Sequence, residues 1–159
     1  MRKILRAFLP LLGGCFLLNV TAPVLGTSAS SDWYEISPVA RPAPEVMEIA
    51  RETVRRSGFA LLPPDGTDRI FTEWRVELSA HWRQGFRAKL ELELVKLEGT
   101  PGLKLRVRGF RDVNDNSRNP SNAADAEWIE ATFDEKQKDR IGEFAMKVHQ
   151  ILKFKLMEN

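Results

Sequence analysis

The sequence predicts a two-layer α+β domain: an antiparallel sheet of four to five strands, with an N-terminal helix and a long C-terminal helix packed on one face. Three observations carry this. Residues 70–82 and 86–94 both alternate apolar with charged or polar side chains, the period of a strand covered on one side only. Residues 45–57 and the stretch after Asp134 instead repeat apolar residues at helical spacing. The order helix, short strand, three long strands, edge strand, long helix matches a sheet with helices on one side.

The first helix owes its amphipathic pattern to Val46, Ile49, Ala50 and Val54, with Thr53 beside them, against Glu48, Arg51, Glu52, Arg55 and Arg56. Glu45 at its start and Arg55-Arg56 at its end complement the helix dipole, and Gly58 is placed to stop it. Phe59–Leu62 reads as a short strand and Pro63-Pro64-Asp65-Gly66 as a turn.

Next, Ile70, Thr72, Trp74, Val76, Leu78, Ala80 and Trp82 alternate with charged and polar neighbours, and Phe86, Ala88, Leu90, Leu92 and Leu94 repeat the pattern. Apolar residues of paired strands must share a face. The tightest such pairing sets Trp82 opposite Phe86 across the loop Arg83-Gln84-Gly85, Val76 against Leu92 and Trp74 against Leu94. The apolar parity then shifts to Val95, Leu97, Leu103, Leu105 and Val107, which predicts a bulge at Leu94-Val95. On the charged side Glu93 faces Arg106, Glu91 faces Arg108, and Arg75 joins the first pair in one row.

Residues 114–125 have a loop composition, Trp128–Phe133 reads as an edge strand, and Asp134 with Gln137 caps the last helix. Ile141, Phe144, Ala145, Val148, Ile151 and Leu152 form its predicted buried stripe, with Gly142 as a weak point.

Ahead of the domain, residues 1–26 carry Arg2, Lys3 and Arg6 before and within an apolar run, then small residues: the pattern of an export signal. Two versions stand. Leu12-Gly13-Gly14-Cys15 resembles the lipobox of bacterial lipoproteins, in which the cysteine is lipidated and becomes the new N-terminus. Alternatively, the segment is an ordinary secretory signal cleaved after Gly26 or Ala29. A transmembrane anchor fits less well, because Pro10, Asn19 and Pro23 interrupt the apolar run. Residues 27–44, rich in Ser and Pro, read as an extended tether, and the domain proper as 45–157. Trp33 and Tyr34 stand out in that tether, either packed on the domain or as a docking peptide.

The chain has 24 basic and 22 acidic side chains, formally +2. Arg2, Lys3 and Arg6 depart with the signal and no acid does, leaving 21 basic and 22 acidic side chains. The positive charge belongs to the address, so it is no evidence for nucleic acid. Cys15 is the one cysteine, so the exported part has no disulfide framework.

Catalytic chemistry finds little support. Asp112-Val113-Asn114-Asp115-Asn116 has calcium-loop spacing, but Ser117 stands where an EF-hand needs glycine and Ala123 where it needs glutamate. The better reading is a polar loop that satisfies its own backbone. His81 and His149 have no second ligand at zinc spacing, and no serine has a nucleophile context. No cofactor or metal is expected. The charged sheet face reads as mutually neutralising, Trp74 and Trp82 as core, and Trp128 as a groove residue beside the last helix.

By order of elements over residues 45–155, together with the lipobox, the chain resembles the helix-grip domains of bacterial envelope lipoproteins, such as the accessory lipoprotein of the outer-membrane barrel-assembly machinery. The resemblance implies a non-enzymatic envelope role and transfers no site residues. The expectation is an exported, periplasmic or membrane-tethered binding or scaffold domain that meets an envelope protein partner through the sheet edge, the Asn/Asp loop, Trp33 and Tyr34, or Trp128. Lipidated Cys15 would supply the membrane attachment. The alternative is a carrier with an apolar pocket between sheet and helix.

Overall fold

A computed structural model describes residues 28–157 apart from 65, 79–84, 100, 117 and 133–138. The fold is α+β. Its strands are β1 (Ala29–Ser30), β2 (Tyr34–Val39), β3 (Arg69–Phe71), β4 (Arg75–Glu77), β5 (Phe86–Lys96), β6 (Leu103–Asn114) and β7 (Trp128–Glu130), and its helices α1 (Ala43–Arg56) and α2 (Asp139–Met157). Seven strands among the described residues replace the expected four to five, because both edges of the β5–β6 pair are built in pieces. On the β6 edge β7, β1 and β2 follow one another; on the β5 edge, β4 and β3 do. All pairings are antiparallel. Within 27–44, the segment read as a tether, β1 and β2 lie along β6 and α1 begins at Ala43.

The long pair β5–β6 runs in one unbroken register from Phe86↔Val113 to Lys96↔Leu103. The bulge predicted at Leu94-Val95 is therefore not there. Even positions of β5 pair directly with odd positions of β6, so the parity change needs no extra residue. Glu93 faces Arg106 and Glu91 faces Arg108, as the sequence predicts.

The alternating segment 70–82 departs from expectation. Between Phe71↔Glu91 and Arg75↔Ala88, the three residues Thr72–Trp74 stand against only Lys89 and Leu90. The Thr72 hydroxyl accepts the Leu90 N–H at 2.9 Å, taking the place of a main-chain acceptor. The insertion flips every later side chain. Ahead of it the pairing already differs from the expected one, with Ile70, not Val76, against Leu92; beyond it Val76 is exposed opposite Arg87 and Trp74 lies on the charged face instead of in the core. Arg75 turns inward, its guanidinium 5.1 Å from the Phe144 ring centre with Nη1 donating to the Ser57 carbonyl at 3.2 Å. Phe86 pairs with Glu77 and not with Trp82 as expected, so the two strands are not joined by the three-residue loop 83–85; Trp82, Arg83 and Gln84 themselves lie outside the described residues.

The core joins both helices to one face of the sheet: Val46, Met47, Ala50 and Val54 of α1, and Ala145, Val148, Leu152 and Leu156 of α2, pack on Ile36, Leu90, Leu92, Leu105 and Val107. α1 ends at Gly58, whose φ of 83° is a left-handed conformation that glycine adopts without strain. Where α2 crosses β6 the backbones approach closely. An added Cβ on Gly109 would stand 3.0 Å from the Ile141 carbonyl oxygen and 3.4 Å from Ala145 Cβ. The predicted stripe on α2 is displaced by part of a turn, with Gly142 and Leu156 buried and Ile151 43% exposed. Asp134 and Gln137 lie outside the described residues. Among those described, no helix is long and apolar enough to cross a membrane.

Candidate functional site

With both helices on one side, the other face of the sheet is open, and its side chains follow from the register. β5 sends Arg87, Lys89, Glu91 and Glu93 to it, and β6 sends Arg106, Arg108, Phe110, Asp112 and Asn114. Three carboxylates are buried there, Glu91, Glu93 and Asp112. Burying a carboxylate is costly unless it is paired and hydrogen-bonded, and each has a guanidinium fork. Arg108 holds Glu91 at 2.6 and 2.8 Å, and Arg87 holds Asp112 at 2.7 Å through both Nε and Nη2. Glu93 has two such partners: Arg69 on Oε1 at 2.8 Å and Arg106 Nε on Oε2 at 2.8 Å. The row expected through Arg75 thus runs through Arg69, because the register of β3 on β5 sets Arg69 opposite Glu93, while Arg75, beyond the Thr72–Trp74 insertion, pairs with Ala88 and turns to the helix side. Burial pushes the Glu93 carboxyl up, but hydrogen bonds from Arg106 and Arg69 outweigh it and leave the group below its usual range.

The cations also stack on rings, in an unbroken run across the face. Trp33 lies 4.5 Å from the Arg106 guanidinium and 4.4 Å from that of Arg108. Arg108 is 5.0 Å from Phe110; Lys89 Nζ is 4.9 Å from Phe110 and 4.7 Å from Trp74. Arg87 lies 4.3 Å from Trp74 and 5.2 Å from Trp128. Rings and cations alternate from the β2 edge to the β7 end. Each contact contributes about 0.5–1 kcal/mol where exposed and more where desolvated. The arrangement holds indoles partly exposed on a rigid sheet. Lys89 differs from the arginines in meeting only rings, with no carboxylate partner among the described residues.

At the β7 end the Asn/Asp loop closes on itself. Asn114 Oδ1 accepts the N–H groups of Asn116 and Glu127, both at 3.0 Å, Asn116 Oδ1 accepts those of Arg118 and Asn119, and Asn119 and Asn122 both donate to Asp125 Oδ2. The side-chain oxygens of Asn114 and Asn116 are thus spent on the loop's own backbone. Asp112 Oδ1 and Asn114 Nδ2, on the strand segment that pairs with β7, are buried without a hydrogen-bond partner among the described residues. The two backbone donors on Asn114 Oδ1 fix that amide's orientation.

Of the residues predicted to bind a partner, Trp33 and Trp128 occupy opposite ends of this face. Tyr34 alternates to the helix side, where its ring packs 5.9 Å from His149. Burial, with Asp139 and Asp32 nearby, pushes the Tyr34 phenol up. His149 Nε2 is 3.0 Å from the Glu35 carbonyl oxygen. Cys15 and His81 lie outside the described residues. The sequence reading missed Trp74 and Phe110 as members of the site, and placed Lys89 on the charged face while reading that face as mutually neutralising. Lys89 and Phe110 were accessible from the β5–β6 register; Trp74 was not, because nothing in the alternation marks the insertion that moves it.

Neither protein-family models nor curated protein sequences give a match to this chain.

Proposed function

We propose that this chain is an exported, non-enzymatic binding or scaffold domain of the bacterial cell envelope, held at a membrane through lipidated Cys15, and that it engages its partner with the helix-free face of the sheet. The observation that carries the reading is the ring–cation run from Trp33 to Trp128. Indoles and arginines are the side chains that anchor binding surfaces, and here a rigid sheet holds them on a face that neither helix covers. Pairing of the helices against the opposite face also supports the helix-grip likeness. The charged groups of the face are held in ion pairs and ring contacts, an arrangement suited to recognition.

The carrier alternative required an apolar pocket lined by Trp74, Trp82 and Phe144. Trp74 lies on the other face, and Phe144 is packed against Phe59 and Phe86 with ring centres 5.6 and 6.0 Å away. A groove of about 960 Å³ between the start of α1 and the ends of β5 and β6, lined in part by Pro44, Met47 and Leu103, opens outside that core.

Two measurements test the proposal. Intact mass from the native host should give a diacylated species beginning at Cys15; a chain beginning near Thr27 or Ser30 overturns the tether. Capture from solubilised envelope with the full chain should recover a partner that is lost when Trp33, Trp74 and Trp128 are changed to Ala, with circular dichroism confirming a folded variant. Identical recovery by both proteins would overturn the assignment to this face.

A further inference from the structure

We infer that the open face is a glycan-binding platform, taking a chain of pyranose rings that carries sparse carboxylates. The inference rests on the face being the binding surface and names its occupant. Two features of the site specify the chemistry. Indoles on a rigid sheet offer flat apolar area at low conformational cost, which suits the C–H face of a pyranose ring. The rings are also separated by guanidinium–carboxylate forks, whose fixed polar edges suit hydroxyl groups around such a ring.

Charge is the second. Glu91, Glu93 and Asp112 already hold Arg108, Arg69, Arg106 and Arg87, and Lys104 holds Glu35 at 2.9 Å. Among the described residues of the face the cation left over is Lys89, in its middle between Trp74 and Phe110. One isolated ammonium among neutralised neighbours complements a ligand with an occasional carboxylate. A nucleic acid or an anionic bilayer presents dense phosphate and would need cations the face has already committed.

The test titrates the full-length chain, in a polyoxyethylene detergent that carries no sugar, and reads tryptophan fluorescence. The probes are hyaluronan oligosaccharides, with a carboxylate on every second ring, neutral chitin oligosaccharides, poly(dT), and phosphatidylglycerol vesicles. Hyaluronan oligosaccharides should perturb the emission, and Trp33→Ala and Trp128→Ala should each weaken them about tenfold. Lys89→Ala should weaken the acidic oligosaccharide about fivefold and leave the weaker neutral one unchanged. Circular dichroism of each variant separates lost binding from lost fold.

Silence toward both oligosaccharides overturns the inference, as does equal affinity for neutral and acidic chains. Tighter binding of poly(dT) or vesicles, steeply weakened by salt, also overturns it in favour of a phosphate surface. If oligosaccharides fail while the tryptophan variants still lose their envelope partner, the glycan is wrong and the face remains the binding surface. If both fail, the face itself is wrong.

Discussion

Tyr34 lies across Gly142, its hydroxyl occupying the space that a Cβ at this position would need, with Ser31 Cβ 3.0 Å from the same point. Glycine inside a helix costs about 1 kcal/mol relative to alanine, so propensity alone makes Gly142→Ala stabilising. Here the contact wins. Tyr34 is fixed by pairing with Val107, and Ser31 is tied to Gly109 in both directions, at 2.8 and 3.0 Å, so neither yields freely. Overpacking of this kind costs about 1–3 kcal/mol, and urea unfolding of Gly142→Ala should show a net loss. Tyr34→Phe in the same chain should recover part of it; strictly additive effects would rule out the contact.

Ile151 and Leu152 are adjacent on α2 and answer to different surroundings. Leu152 is fully buried, whereas Ile151 is 43% and Phe154 64% exposed. Leu152→Ala should cost about 2–5 kcal/mol in chemical unfolding. Ile151→Ala should cost no more than about 1 kcal/mol, and Phe154→Gln should change stability by no more than about 0.5 kcal/mol. A larger loss at Ile151 than at Leu152 would mean that the helix is rotated about its axis.

The contrast shows what periodicity conveys. The pairs of β5 and β6 were legible because a strand's period of two is exact, so Glu93 was set opposite Arg106 even though the bulge expected at Leu94-Val95 is not there. On α2 several stripes differing by part of a turn are all apolar. The choice between them depends on Gly109 and Gly142 letting the backbones meet, a tertiary fact. Trp74 was illegible for a third reason. Its alternation with Glu73 and Arg75 is regular, and the flip comes from one threonine hydroxyl accepting a strand N–H. Trp33 and Trp128 were singled out because an aromatic beside polar neighbours is conspicuous, although Trp128 lies on the helix-free face and not in a groove beside α2. Trp74, set in an alternating run, resembled core.

The partner of Glu93 separates the two registers directly. In double-mutant cycles Glu93→Gln should couple with Arg69→Ala and with Arg106→Ala, since the two guanidiniums hold opposite oxygens of one carboxylate. Arg75→Ala should not couple with Glu93. Its own effect should be loss of the Phe59 and Phe144 ring contacts and of the hydrogen bond to Ser57. Coupling of Glu93 to Arg75 rather than Arg69 would restore the unbroken strand over 70–82 and remove Trp74 from the open face.

The same carboxylate predicts how stability depends on acid. Burial raises Glu93, but hydrogen bonds from Arg106 and Arg69 hold it below the ordinary value of 4.5. Glu143 is lowered too, through its hydrogen bond from Lys147, against burial and with help from Arg111. Between the ordinary value and the lower folded one, the unfolded chain binds more protons, so stability rises with pH there. The contribution is complete above about pH 4.5 and is lost as pH falls through the folded value. Urea midpoints should therefore hold steady from pH 7 to about pH 5.5 and drop below about pH 4.5. Glu93→Gln should lower the midpoint at pH 7 and make the acid slope shallower, leaving the part due to Glu143. An unchanged slope in Glu93→Gln would mean that neither guanidinium grips this carboxylate in the folded protein.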